Sequence, residues 1–261
     1  MIMILGGTKD AREIVVQISE KKYPLLVTTA TEYGGSLLEA YEGCDVLTKR
    51  MSAQDMETII IEKQIQLVVD ATHPYAVDVS QNAMIACQNR KIPYLRYQRN
   101  ESAYDAYEDI LITVEHMEAA ADYLAAVEGN VLLTTGSKSL EVFTSRIPVQ
   151  RLYPRVLPTA EVLKKCETLG IKPGNIVAMQ GPFSKNMNME IIKMFNISIL
   201  VTKDSGDLGG TLDKLAAASA CECEVVMVRR PRVNYHNLFE NKEDLVCKVS
   251  EIYEKILSNH D

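Results

Sequence analysis

Residues 2–12 read IMILGGTKDAR: four apolar residues, two glycines, then a polar run with helical character. A strand that ends in glycine and turns directly into a helix is the opening βα unit of a parallel sheet. Gly6 and Gly7 let the backbone come close to a phosphate, and the N-terminus of the helix that follows offers N–H groups and positive potential. Thr8 can add a hydroxyl donor. The segment is shorter than a full Gly-x-Gly-x-x-Gly fingerprint, so a tight turn without a ligand also fits it. Its place at the first βα turn favours the phosphate reading.

The alternation continues outward from this turn. Strands are expected at 24–29, 44–48, 66–71 and 92–96, with helices at 52–63 and 76–90. Residues 97–109 (QRNESAYDAYEDI) are polar and tyrosine-rich, without apolar periodicity, and read as a linker. A second alternation places strands at 110–114, 130–134, 147–152, 175–179, 197–201 and 224–228. Helices are expected at 115–127, from 138, at 159–169, 185–195 and 211–220, and last at 241–257. The fold class is therefore α/β: two Rossmann-like halves with parallel sheets flanked by helices, the first spanning 1–96 and the second 97–261. The interdomain cleft is the expected active site.

Composition narrows the function classes. The chain has 261 residues, 47% of them hydrophobic and 24% charged, which suits a globular protein rather than a disordered one. The net charge of −7 speaks against a broad nucleic-acid surface. The six cysteines form no Cys-x-x-Cys pair and no zinc-type spacing, so reduced thiols and no metal are expected. The N-terminal apolar run is too short for a signal peptide, and no apolar run nears the roughly 20 residues of a membrane span. A cytoplasmic protein, monomeric or a small homo-oligomer, with no membrane partner, is the expectation.

Chemistry should sit at the carboxyl ends of the strands. The second strand ends Val27-Thr28-Thr29, with Glu32 just beyond. NAD sites often carry an acid at that strand end, so hydroxyls there favour NADPH, although a β-prone Thr run reads the same way. The fourth strand ends Asp70-Ala71-Thr72-His73-Pro74-Tyr75, placing Thr72, His73 and Tyr75 toward a ligand. A lone histidine is as often structural. Arg96 and Arg99 close the first half and suit carboxylate or phosphate contacts, or a solvated strand end. In the second half three strand ends carry glycine, hydroxyl or amide groups: Thr134-Thr135-Gly136-Ser137-Lys138, Gln180-Gly181-Pro182-Phe183-Ser184, and Thr202-Lys203-Asp204-Ser205-Gly206 followed by Gly209-Gly210-Thr211. Lys203, the one cation of its loop, can hold an anion or donate a proton. Arg229, Arg230 and Arg232 form a basic run that is either a solvated face or an anion contact.

Taken in order, ILGGTKDAR, DATHPYA, IPYLRYQR, LLTTGSKSL, GPFS and VTKDSG resemble the precorrin-6A reductase family, including its cobalt-precorrin-6A branch, from residue 2 to about 232. The resemblance implies a reductase of corrin (cobalamin) biosynthesis that uses NADPH or NADH to reduce a macrocycle double bond, with hydride going to C19. It implies cofactor contacts from Gly6, Gly7, Thr8, Thr29, Thr72, Gly181, Ser184, Ser205 and Gly206. His73 and Lys203 become candidate catalytic residues, and the proton donor stays open among His73, Tyr75, Lys203 and water. The macrocycle carries many carboxylates, so Tyr75, Arg96, Arg99, Arg151, Arg155, Lys185, Asp204 and the 229–232 run are its candidate partners. Lys9 stands where the family often has Gly, and Asp204 where it more often has Asn.

Three other readings share the glycine turn. A short-chain dehydrogenase or epimerase needs Tyr-x-x-x-Lys, and none of the 12 tyrosines has Lys four positions on. A non-catalytic dinucleotide sensor would bind without turnover. A methyltransferase would bind S-adenosylmethionine instead.

Overall fold

A computed structural model of the chain describes residues 1–30, 44–99, 104–205 and 210–258. The chain divides into two compact units, Met1–Asn100 with Arg232–Asp261, and Glu101–Pro231.

The first unit is built on β1 (Ile2–Leu5), α1 (Lys9–Ser19), β2 (Leu25–Thr29), β3 (Cys44–Thr48), α2 (Ala53–Glu62), β4 (Leu67–Asp70), α3 (Val77–Arg90) and β5 (Tyr94–Tyr97). Its sheet has a sixth strand, β12 (Leu238–Phe239), and the order β12-β5-β4-β1-β2-β3. Every pairing is parallel. All four β1 residues are buried, as required of a parallel strand covered on both faces. Alternate residues feed opposite cores. Ile2 and Ile4 join Ile14 and Ile18 of α1 on one face, while Met3 and Leu5 join Met56, Ile60, Ala83 and Cys87 of α2 and α3 on the other.

The expected division at 96/97 is corrected at the far end of the chain. Residues 232–261 return to the first unit instead of closing the second. β12 pairs with Arg96 and Tyr97 of β5, and the last helix, α9 (Lys242–Ser258), buries Leu245, Val249 and Tyr253 in the α1 core. An amphipathic pattern states that a helix face is buried but not which sheet buries it. A two-residue strand carries no readable period at all.

The second unit contains β6 (Leu111–Val114), α4 (Met117–Ala125), β7 (Asn130–Leu133), α5 (Leu140–Thr144), β8 (Leu152–Val156), α6 (Ala160–Thr168), β9 (Val177–Ala178), α7 (Lys185–Met194), β10 (Ile197–Lys203), α8 (Thr211–Ala220) and β11 (Glu224–Val228). Its order is β6-β11-β10-β7-β8-β9, again parallel throughout. The expected strand at 147–152 lies instead at Leu152–Val156, preceded by a 3-10 turn at Val149–Arg151. The Ile147-Pro148-Val149 run imitates a strand start, and Pro154, which cannot donate to a ladder, disguises the true strand. A second 3-10 helix, Asp105–Ile110, occupies part of the expected linker.

Each sheet has one point where the chain reverses its direction of growth. In the first unit it lies between β1 and β4, and in the second between β7 and β10. Open α/β sheets bind ligands at the strand carboxyl ends beside that point. Among the described residues no helix is long and apolar enough to cross a membrane.

Candidate functional site

In the first unit the switch point is flanked by the loops after β1 and β4. The N–H of Gly6 donates to Thr28 O at 2.8 Å, laying the turn against β2. A Cβ on Gly6 would meet Thr28 O at 3.2 Å. Gly7 has φ +104°, a conformation that favours glycine, and no atom lies within 4 Å of where its Cβ would stand. That open side of the turn, at the start of α1, is where a phosphate can reach backbone N–H groups. The Thr8 hydroxyl caps the helix, accepting from Ala11 N at 3.0 Å, and donates to Ala71 O at 2.9 Å. Its hydrogen thus ties the two switch loops together rather than facing outward. Thr29, at the end of β2, is buried, 3.4 Å from the Thr48 hydroxyl. Glu32 lies outside the described residues.

Beneath the β4 loop lies a buried ionic network. Asp70 Oδ1 accepts from Arg96 Nη1 at 2.6 Å, from the Thr72 hydroxyl at 2.7 Å and from Thr72 N at 3.0 Å. Its Oδ2 accepts from the Tyr94 hydroxyl at 2.7 Å. Arg96 also donates to Thr72 Oγ1 and Thr72 O, each at 3.0 Å, and lies 4.8 Å from the centroid of the Tyr235 ring. Burial, with Asp70 beside it, pushes the Tyr94 phenol well above its ordinary range. Arg96 and Asp70 have 0% side-chain exposure. This corrects Arg96 as a macrocycle contact: its guanidinium is enclosed and spent on Asp70. Thr72, also buried, belongs to the same frame.

What the frame holds up is half-exposed. The His73 and Tyr75 rings are 5.5 Å apart, and His73 Nδ1 accepts from Tyr75 N at 3.3 Å. An accepting Nδ1 leaves the neutral imidazole's proton on Nε2. Arg99 is bound to Asp10 in the first turn of α1 at 2.5 Å, and Asp10 also pairs with Lys242 at 3.0 Å. Lys242 in turn pairs with Glu13. Arg99 therefore braces α1 rather than standing clear as an anion contact. Lys9 is exposed and pairs with Glu13 at 3.7 Å.

In the second unit the switch point brings cations together. Lys203 ends β10, and Lys138 stands in the 3-10 turn after β7 (Ser137–Ser139). Burial first, and Lys138 second, lower the Lys203 ammonium from its ordinary range. Hydroxyls surround this edge: Thr135 and Ser139 are 2.8 Å apart, and Ser205 and Thr211 are 3.3 Å apart. Asp204 is corrected as a macrocycle contact. It is 6% exposed, ion-pairs with Arg230 at 3.1 Å and accepts from the Tyr104 hydroxyl at 2.7 Å. Arg230 is consumed by this pair, whereas Arg229 makes an exposed ion pair with Glu115 at 2.7 Å. Arg151 is likewise structural, donating to Gly129 O at 2.8 Å and Leu124 O at 3.3 Å. Gly206 lies outside the described residues.

The loop after β9 carries Gly181, where a Cβ would meet the Phe183 ring at 3.0 Å. The Ser184 hydroxyl caps α7 by accepting from Met187 N at 3.3 Å. Lys185 is exposed. Arg155 lies inward, bonded to Asn188 Oδ1 at 2.7 Å and stacked 3.9 Å from the Phe183 ring. The buried Lys214 escaped the sequence reading, and Lys138 was given no role of its own in it. Lys138 sits in a quoted motif, but only the pairing of β7 with β10 puts it beside Lys203. The first switch point thus offers backbone N–H groups to a phosphate, and the second offers ammonium groups and hydroxyls to an anion.

Comparison with known proteins follows the same line. The chain matches, over residues 1–250, the family described as Precorrin-6x reductase CbiJ/CobK. It is 36% identical over 249 residues to a cobalt-precorrin-6A reductase of Priestia megaterium, covering 94% of this chain and 96% of that protein. A cobalt-precorrin-6A reductase of Methanococcus maripaludis is 34% identical over 248 residues, covering 94% and 97%. A precorrin-6A reductase of Rhodococcus erythropolis is 28% identical over 245 residues, covering 88% and 89%. A solved structure described as CobK precorrin-6A reductase aligns with TM-score 0.79 over 96% of each chain at 20% identity, which shows a shared fold.

Proposed function

The chain belongs to the precorrin-6x reductase family, and from that premise we propose that it reduces one double bond of precorrin-6A, or of its cobalt form, in corrin biosynthesis. The observation that carries the cofactor half of this reading is the Gly6-Gly7 turn at the first switch point. Gly7 is open where a side chain would stand, and Gly6 is pressed on Thr28 O, so the turn fits a dinucleotide phosphate. Gly6 and Gly7 would hold the phosphates by backbone N–H, with Thr8 holding the turn to Ala71. A reduced nicotinamide supplies the hydride when bound. The two threonines ending β2, in place of an acid, support NADPH over NADH.

The chain's own part in the step is to position two flat molecules and to deliver a proton. Two residues have the chemistry for delivery. His73 can deliver a proton from Nε2 as the imidazolium, which requires Nδ1 to give up the bond it accepts from Tyr75 N. Lys203 is a stronger acid than an ordinary lysine because burial and Lys138 disfavour its charged form. Lys185, Tyr75, Arg155, Arg229 and Arg232 are the remaining candidates to meet the carboxylates of the macrocycle.

The test is an anaerobic assay of the full chain with precorrin-6A and cobalt-precorrin-6A, each with NADPH and NADH. Stoichiometric oxidation of the nicotinamide with one macrocycle supports the reading, and no oxidation in any of the four combinations refutes it. His73→Gln and Lys203→Met then separate the donors. Loss of the proton donor should lower kcat on the order of 10² or more.

A further inference from the structure

Three arginines among the described residues are buried: Arg96, Arg155 and Arg230. Two of them meet a carboxylate, Arg96 on Asp70 at 2.6 Å and Arg230 on Asp204 at 3.1 Å. Arg155 has no such pair among the described residues. Its Nη1 donates to Asn188 Oδ1 at 2.7 Å, and its guanidinium carbon stands 3.9 Å from the centroid of the Phe183 ring. Both partners are neutral. A buried cation held only by neutral groups is costly, and such groups cluster where an anion is to be received. Burial alone lowers this guanidinium to about 10, so it stays charged at neutral pH.

The loop after β9 and the first turn of α7 build a seat around it. Asn188 is fully buried, and its amide nitrogen donates to Ser184 O at 2.9 Å and to Phe183 O at 3.4 Å. Carbonyl oxygens only accept and a guanidinium only donates, so a single orientation of the amide satisfies all three contacts. That orientation turns Oδ1 to Arg155. The Phe183 ring covers one side of the guanidinium, and a Cβ on Gly181 would meet that ring at 3.0 Å. Glycine at 181 thus leaves the ring its place. Arg155 itself lies at the carboxyl end of β8, in register with Val177 of β9, on the edge where open α/β sheets bind ligands. It keeps 7% exposure, and none of its nitrogens is both enclosed and unbonded. The edge of the fork that Asn188 leaves open therefore reaches solvent.

We propose that Gly181, Phe183 and Asn188 seat the Arg155 guanidinium so that its open edge takes one carboxylate of the macrocycle, which makes Asn188 and Phe183 positioning residues. This rests on the chain's being a reductase of a carboxylate-bearing tetrapyrrole. A planar fork grips a carboxylate through two parallel N–H bonds only when its plane is fixed, and the amide and the ring fix it. The resemblance implies cofactor contacts from Gly181 and Ser184, whereas the seat gives their loop the work of aiming Arg155. A dinucleotide phosphate offers the same oxyanion chemistry, and the test separates the two.

The experiment uses full chains: wild type, Arg155→Gln, Asn188→Leu, Phe183→Leu, Phe183→Tyr, and Arg155→Gln combined with each leucine variant. Equilibrium dialysis gives the dissociation constant for precorrin-6A and cobalt-precorrin-6A, calorimetry gives that for NADP+, and a thermal midpoint reports folding. Arg155→Gln is expected to weaken macrocycle binding about tenfold or more. Asn188→Leu and Phe183→Leu should each weaken it about threefold or more, but by less than about twofold once Arg155 is already Gln. Phe183→Tyr keeps the ring and should bind within about twofold of wild type, as should NADP+ in every variant. A role confined to stability would lower the midpoint without this dependence on Arg155. Unchanged macrocycle binding in the folded single variants overturns the seat. So do leucine effects that persist in full beside Arg155→Gln, and so does weakened NADP+ binding with the macrocycle unaffected, which marks a phosphate site. If Asn188→Leu fails to fold, Phe183→Leu and its combination with Arg155→Gln decide by the same criteria. Wild type that binds neither macrocycle overturns the reductase reading itself, an outcome distinct from wild type that binds and variants that bind equally well.

Discussion

Replacing Asp70 with Asn tests whether the β4 loop rests on the ionic network beneath it. The carboxylate accepts four hydrogen bonds, at 2.6, 2.7, 2.7 and 3.0 Å, and neutralises a guanidinium with no exposure. Asn keeps the shape and one acceptor but loses the charge. Arg96 is then a buried cation without its carboxylate, and removing one partner of a buried pair costs about 3–5 kcal/mol. At roughly 1.4 kcal/mol per decade, that is two to four decades in the folding equilibrium of the first unit. Urea unfolding, followed by hydrogen exchange of β1 and β4 amides so that the two units are read separately, measures it. Asp70→Asn combined with Arg96→Met removes both charges, and it should recover much of the loss because the costly species is the lone ion. A single-variant loss below about 1 kcal/mol, or a double variant no better than the sum of the singles, would refute the reasoning.

Three further outcomes follow from the same geometry. Gly7→Ala should destabilise the first unit by about 1 kcal/mol, because φ +104° disfavours a side chain, and should weaken NADP+ binding measured by calorimetry. Lys214 has a folded value of about 8, below its ordinary 10.5, so the unfolded chain binds more protons between these values and stability rises with pH across that window. Lys214→Met should remove that rise, giving a flatter dependence of stability on pH between about 8 and 10.5 in parallel denaturation curves. Asp204→Asn leaves Arg230 buried without its carboxylate and should cost the second unit about 3 kcal/mol in urea unfolding, with NADP+ affinity unchanged.

The helices were the most legible elements. The spans expected at 185–195 and 211–220 are observed at Lys185–Met194 and Thr211–Ala220, because a 3.6-residue apolar period is a local signal. The strand near 150 was not legible, since Pro148 and Pro154 send opposite signals about where a ladder can run. The candidate residues in glycine turns and at strand ends were legible as loop positions, because position along the chain dictates them. Arginine misled. Arg96 ends a strand as a ligand contact would, but β5 is buried along its whole length, and the guanidinium meets an Asp70 that lies 26 residues away.

By itself the amino-acid order determined two parallel α/β sheets, a glycine turn after the first strand at Gly6-Gly7, and the family, because each of these is written in short runs of neighbouring residues. Only the tertiary structure decided that the chain's last strand and helix return to the first sheet. It also decided which cations are spent on carboxylates, as Arg96, Arg99 and Arg230 are. And it brought Lys138 to Lys203 and Asn188 to Arg155. Charge acts through space at a few ångströms, whatever the separation in sequence, so the pairing of a buried ion can be read only after the strands are in order.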